Sequence, residues 1–261
     1  MGVVRLTIAY NGTPFAGWAA QPGLRTVQGE LEAALGRILG QPPSLTVGGR
    51  TDAGVHAWGQ VASFELDGEP PEQLARRLNA VLPQDICVIE AVAAPKGFDA
   101  RRDARSRTYC YWVLSSPVRH PFEIGRALWW PGPLDRPALE RCAAALVGRH
   151  DFTAFTPTQT EHVRFERDVI QAEWRPHRLA EPFPGALLEF WIEADAFMRH
   201  MVRVLVGTML EVAGGRRTAG AFEELLGGAP RERAGETAPP DGLYIFGGNA
   251  AEAAVRRRPP R

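Results

Sequence analysis

The chain has 261 residues, 45% of them hydrophobic and 23% charged, with a formal net charge of zero. That composition excludes bulk disorder and fits one large globular domain or two ordinary ones. A zero sum taken alone argues against a nucleic-acid partner, but the distribution of charge matters more than its total. Lys96 is the only lysine, so arginine, the better bidentate partner of phosphate and carboxylate, carries almost all the positive charge.

The cysteines, Cys87, Cys110 and Cys142, are scattered and read as buried neutral thiols. The six histidines form no H-x-x-x-H pair, so no metal is expected. The N-terminus alternates like a strand and lacks a signal-peptide layout. The apolar stretch 201–213 is too short to span a membrane and contains Arg203 and Glu211. The expectation is a cytoplasmic protein with no membrane contact.

In chain order, residues 3–10 read as a strand and Asn11-Gly12-Thr13-Pro14 as a turn. A helix begins at Thr26, with Val27, Leu31, Ala34, Leu35 and Ile38 on one face, and stops at Gly40 and Pro42-Pro43. Leu45 to Val47 is a short strand and Gln60 to Leu66 a longer one. Pro70-Pro71 opens a helix that turns Leu74, Leu78, Val81 and Leu82 inward, and Ile86 to Val92 is a further strand. The second half has a similar order of elements without a sequence repeat. Arg107 to Leu114 is a strand, and Asp135-Arg136-Pro137 caps a helix through Val147. Strands follow at 169–174 and 186–194, a long helix at 197–212, a short helix from Thr218, and a last strand at 243–246. The domain reading is an N-terminal half over 1–105, a C-terminal half over 106–248 and a basic, disordered tail over 249–261.

Three stretches concentrate chemistry. In Gly48-Gly49-Arg50-Thr51-Asp52-Ala53-Gly54-Val55-His56, one carboxylate stands between an arginine and a histidine, with glycines on both sides. Such an aspartate is either an Asx-turn or a carboxylate kept ionised by cationic company. Lys96 to Arg107 holds five basic and two acidic residues and runs into Tyr109-Cys110-Tyr111. That pattern fits phosphate contact beside base stacking, or a solvated loop before a core strand. Arg203 lies among apolar residues on the late helix, where an arginine calls for an anionic partner.

Taken together these stretches resemble the TruA family of tRNA pseudouridine synthases. Gly49 through Ala57 is similar to that family's catalytic-aspartate motif. Ala104-Arg105 through Tyr111 resembles its arginine-then-tyrosine strand, and Phe197 through Gly207 its late arginine helix. Tyr10 through Gln21 resembles its opening and Ala238 through Tyr244 its closing segment. Asn11, Asp168 and Ile245 depart from the family pattern, and none falls in the implied catalytic set.

The resemblance implies an α+β pseudouridine synthase fold. It has two α/β halves, a mainly antiparallel central sheet with helices packed against it, and a catalytic cleft between the halves. It implies Asp52 as nucleophile, Arg203 as its countercharge, and Tyr109 stacked on the target uracil. Arg50 would help flip the base, and His56, Arg105 and Arg107 complete the substrate-binding set. A homodimer that needs no cofactor, acting on the anticodon stem-loop of tRNA at positions 38 to 40, is what the family implies.

Overall fold

A computed structural model describes residues 2–247, apart from 161, 180 and 181. The tail over 249–261 lies outside the described residues. The first half runs β1 (Gly2–Tyr10), α1 (Val27–Leu39), β2 (Thr46–Val47), β3 (His56–Leu66), α2 (Leu74–Asn79) and β4 (Ile86–Ala94). The second runs β5 (Arg107–Ser115), β6 (Leu128–Trp130), α3 (Arg136–Ala145), β7 (Gly148–Asp151), β8 (Glu166–Arg178), β9 (Ala186–Ala194), α4 (Met201–Ala213), α5 (Ala219–Glu223) and β10 (Leu243–Ile245). The protein is mixed α+β, and its strand pairs are mostly antiparallel.

The described residues divide into two compact units, one of residues 2–105 together with 244–247, the other Ser106–Leu243. Residues 244–247 therefore lie with the first unit, where the sequence reading had placed them with the second.

In the first unit the strand order is β4-β1-β3-β10, with β2 on β3. β1 is antiparallel to both neighbours, while β10 joins β3 in parallel, setting Tyr244 opposite His56. Thr26 caps α1 by accepting from the Gly29 N–H, and Gly40 ends it at φ 89°, a conformation glycine adopts without strain. Val27, Leu31, Ala34 and Leu35 are buried, as the spacing requires. Two expectations shift. α2 stops at Asn79, so Val81 is exposed, because Leu82 precedes Pro83 and cannot hold helical geometry. β3 begins four residues before Gln60, since both β1 and β10 supply it with partners. Cys87 is exposed rather than buried, on the edge strand β4.

In the second unit the order is β5-β9-β8-β7, with β6 parallel to β5. Helices α3 and α4 pack on each other and on this sheet, burying Leu139, Cys142, Val204, Leu205 and Phe190. All of Thr108 to Leu114 is buried, so both faces of β5 are covered and its alternation marks no solvent side. α4 starts at Met201, not Phe197, because His200 takes a left-handed conformation at φ 61° and breaks the helix there. α3 ends at Ala145, which leaves Val147 exposed ahead of Gly148 at φ 107°. Short β6 and β7 carry no legible alternation and were not foreseen. Pro176 fits inside β8 because β7 pairs only with residues 166–169, leaving an open edge for the residue without an N–H. Among the described residues no helix is long and apolar enough to cross a membrane.

Candidate active site

The Asp52 loop of the first unit, between β2 and β3, is fastened on both sides by hydrogen bonds. At its start Gly48 donates to the Val61 carbonyl at 2.9 Å, and Gln60 Nε2 donates to the Gly49 carbonyl at 2.7 Å. Along its length the opening segment, residues 12–18, makes three bonds. The Trp18 N–H donates to the Thr51 carbonyl at 3.0 Å, Gly54 donates to the Phe15 carbonyl at 3.3 Å, and Gly12 donates to His56 Nδ1 at 3.0 Å. Val55 donates back to the Asp52 carbonyl at 3.2 Å and closes the turn. Asp52 itself stays half-buried on this fixed frame.

Close approach depends on two glycines of the opening segment. A Cβ on Gly12 would stand 2.0 Å from the Val55 carbonyl oxygen. One on Gly17, at φ 104°, would stand 2.9 Å from the Thr51 carbonyl oxygen. The opening segment was legible as a turn and as a family match; that it grips the aspartate loop was not, because the bonds link residues about 40 positions apart.

Thr51 is 7% exposed, and its Oγ1 lies 2.8 Å from the Tyr10 hydroxyl. Burial pushes the Tyr10 pKa up to about 12, with the Thr51 hydrogen bond opposing. The folded protein thus keeps a proton that the unfolded chain releases above pH 10. Tyr10 contributes stability that is complete below pH 10 and lost as pH rises toward 12, by up to ~3 kcal/mol. Tyr10→Phe is expected to flatten that part of the alkaline stability profile, measured by urea unfolding across pH 9 to 12. An unchanged slope would refute the assignment.

His56 is 2% exposed and stacks on Tyr244 at 4.7 Å between ring centroids and 19° between planes. Its Nδ1 accepts from Gly12, so the neutral ring carries its proton on Nε2. Arg50 is exposed, as is Arg105 at the end of this unit. Asp99 accepts from the N–H groups of Arg101 and Arg102, tying the basic turn before Arg105 to its own backbone and leaving the two arginine side chains exposed.

In the second unit Tyr109 sits on β5, 8% exposed, with Phe197 edge-on at 5.0 Å and 81°. Arg107 Nη1 donates to the Asp195 carbonyl at 3.0 Å. Tyr111, on the same face, donates to the Pro239 carbonyl at 2.8 Å, and burial holds its pKa far above the ordinary tyrosine value.

Arg203, Gly207 and Glu211 form an i, i+4, i+8 row along α4, and the closing segment runs over it. Arg203 Nε donates to the Ala238 carbonyl at 2.7 Å, and the Ala238 N–H returns a bond to the Arg203 carbonyl at 3.1 Å. A Cβ on Gly207 would meet the Glu236 carbonyl oxygen at 1.9 Å, and Thr208 Oγ1 accepts from Gly235 at 3.0 Å. Half-buried Arg203 is thus held by backbone at its stem. Ala238 and Pro239 open the stretch that resembles the family's closing segment, but the contacts of residues 235–239 with α4 are a part of the site that the sequence reading missed.

Comparison with known proteins accounts for this pattern. A family model described as tRNA pseudouridine synthase matches residues 6–102 and 142–247. tRNA pseudouridine synthase A of Frankia casuarinae is 44% identical over 249 residues, covering 93% of this chain and 87% of that protein. The enzyme of the same name from Myxococcus xanthus is 40% identical over 245 residues, 93% of this chain and 89% of that protein. That of Halalkalibacterium halodurans is 41% identical over 245 residues, 92% and 89% of the two chains. With matches of this extent spanning the aspartate loop, the tyrosine strand and the arginine helix, the chain belongs to the tRNA pseudouridine synthase family and is an isomerase acting on tRNA.

Proposed function

We propose that this enzyme converts uridine to pseudouridine in the anticodon stem-loop of tRNA, at positions 38 to 40, with Asp52 as its nucleophile and without a cofactor. The observation that carries the assignment to Asp52 is the loop itself. Two bonds to residues 12–18 and two to β3 hold its backbone, and a bond from Gly12 fixes the His56 ring at its end, while Asp52 remains half-buried. A catalytic group needs this combination of fixed position and access.

The reaction breaks the bond from C1′ to N1, turns the base, and joins C5 to C1′. It involves no net redox change and no hydrolysis. A carboxylate serves it by attacking C1′, by removing a ribose proton to give a glycal, or by adding to C6 of the base. Each route needs the carboxylate ionised, the role we assign to the Arg203 guanidinium. Each also needs water kept from C1′. Tyr109, buried and backed by Phe197, offers a flat apolar surface for the uracil. Turning a base out of its stack costs a few kcal/mol. Arg50 would assist that step, with Arg105 and Arg107 on flanking phosphates. His56, enclosed between Gly12 and Tyr244, serves the substrate through the loop it fastens.

The test is to incubate the protein with unmodified tRNA transcripts and map pseudouridine by carbodiimide-dependent primer extension. Stops confined to positions 38 to 40 are expected; modification confined to another arm would overturn the target assignment. By the same family resemblance we assign the enzyme to the cytoplasm as a homodimer, so light scattering should return about twice the 28.6 kDa chain mass. A monomer at micromolar concentration would refute the dimer.

A further inference from the structure

Arg167 carries a charge that the fold does not neutralise. The residue is 9% exposed, yet its side chain bonds only to backbone. Nη1 donates to the carbonyls of Glu166 at 2.6 Å and Arg164 at 2.9 Å. Nε is enclosed without an acceptor. Among the described residues no carboxylate lies within ion-pair distance, and Asp195 acts on it only from farther away. Burial is the main influence and lowers its pKa; Arg164 adds to that and Asp195 opposes it. An arginine in a protein does not give up its proton, so the charge stays. Buried charges that serve structure alone are normally paired.

Its place in the sheet suggests what the charge is for. Arg107 on β5 pairs with Ala194 on β9, and Ala194 pairs with Val169 on β8. Directly paired residues share a face, so Arg107, Ala194 and Val169 form a row, with Arg167 two residues before Val169 on the same face. That face also carries Tyr109, two residues along from Arg107 in the direction away from Arg167, so that Arg107 stands between the two. Strand spacing puts the Arg107 and Arg167 Cα atoms about 12 Å apart, within mutual reach of two extended side chains. Arg164 is exposed nearby, and Arg199, also exposed, lies two residues in sequence from Phe197, whose ring meets Tyr109. The acidic groups at this end are largely engaged. Asp195 Oδ1 accepts from Asp168 and Ala196, and Glu166 pairs with Arg149.

We propose that Arg167 is a phosphate-binding residue, holding a backbone phosphate of the tRNA beside the nucleotide that Tyr109 receives. This rests on the reading of Tyr109 as the surface for the target uracil. A guanidinium presents a fork of donors that matches a phosphodiester, and enclosure strengthens the bond by excluding water. Leaving the charge unpaired in the free enzyme reserves it for the RNA.

Arg167→Met, nearly the same size and uncharged, separates this role from a structural one. Its Tm should equal or exceed that of the wild-type enzyme, because an uncompensated buried charge has been removed. Its affinity for an unmodified tRNA transcript, read by fluorescence anisotropy between 50 and 200 mM salt, should fall ~10-fold, and the slope of log K against log salt should decrease by about one. Arg167→Lys should restore the slope but not the full affinity. If Arg167→Met lowers the Tm while slope and affinity stay at wild-type values, the arginine is a pin for the 164–166 turn and the proposal is wrong. If inorganic phosphate raises the Tm of the wild type but not of the variant, with tRNA binding equal in both, the site takes a free anion and the RNA assignment fails. Binding is read apart from the position of the modified uridine, so an enzyme that modifies uridines outside the stem-loop would overturn the target assignment while leaving this slope intact.

Discussion

Asp52→Asn is expected to abolish pseudouridine formation, by at least ~10³-fold in kcat, while the protein stays folded and still binds tRNA. The amide has nearly the shape of the carboxylate, so the bonds from Trp18, Gly54 and Gly12 that hold the loop have no reason to change. What is lost is negative charge and nucleophilicity at one atom group. Single-turnover assays with mapped product measure the rate, and anisotropy measures binding. Residual activity within tenfold of wild type would remove Asp52 from the chemistry. Arg203→Met provides the companion test. If its guanidinium keeps Asp52 ionised, the double variant should be no slower than Asp52→Asn alone, since groups acting as a unit are not additive. Losses that multiply would mean that Arg203 acts elsewhere.

Gly12→Ala should lower kcat by ~10²-fold through position alone, although residue 12 carries no reactive group. The new methyl would stand 2.0 Å from the Val55 carbonyl oxygen and 2.4 Å from its carbon, both backbone atoms that cannot rotate aside. Relief requires the opening segment to move off the loop by about 1 Å, a misplacement of the order that costs ~10²-fold in rate. The same movement stretches the Gly12 to His56 bond and frees the ring stacked on Tyr244. Overpacking of this kind also costs about 1–3 kcal/mol of stability, so the Tm should fall by several degrees. Gly220→Ala is the control: it lies in α5 with open space around it and should be neutral or slightly stabilising. Wild-type kcat in Gly12→Ala would show that the grip of the opening segment on the loop is dispensable.

How far each element was readable follows from where its determinants lie. α1 was legible nearly to the residue because its cap, its apolar face and its terminating glycine all fall within 15 residues of one another. The late helix was misjudged by a turn. Its first residues have good helical spacing, and only the contact of Phe197 with Tyr109, far off in sequence, accompanies the left-handed His200 that breaks it. Tyr109 and Tyr111 looked alike in the alternating strand. In the structure one meets an aromatic edge and the other is bound to Pro239, a distinction no local pattern contains. β7 and the contacts of residues 235–239 with α4 went unseen because neither stretch has a periodic apolar face.

Sequence alone determined the chemical inventory: a glycine-flanked aspartate with an arginine and a histidine beside it, a basic run entering a tyrosine strand, and an arginine on an apolar helix. Those are properties of residue type and near neighbours, and covalent order preserves them whatever the fold. Only tertiary structure decided what holds each one. Gly12 grips the loop across 44 positions, Tyr244 stacks on His56 across 188, and Ala238 binds Arg203 across 35. These contacts arise because burying the apolar faces of strands and helices brings distant backbone donors and acceptors together, and once out of water each must be paired. Arg167 is the exception that the same rule exposes: in the sequence it is one arginine among many, and only its burial without a carboxylate marks it.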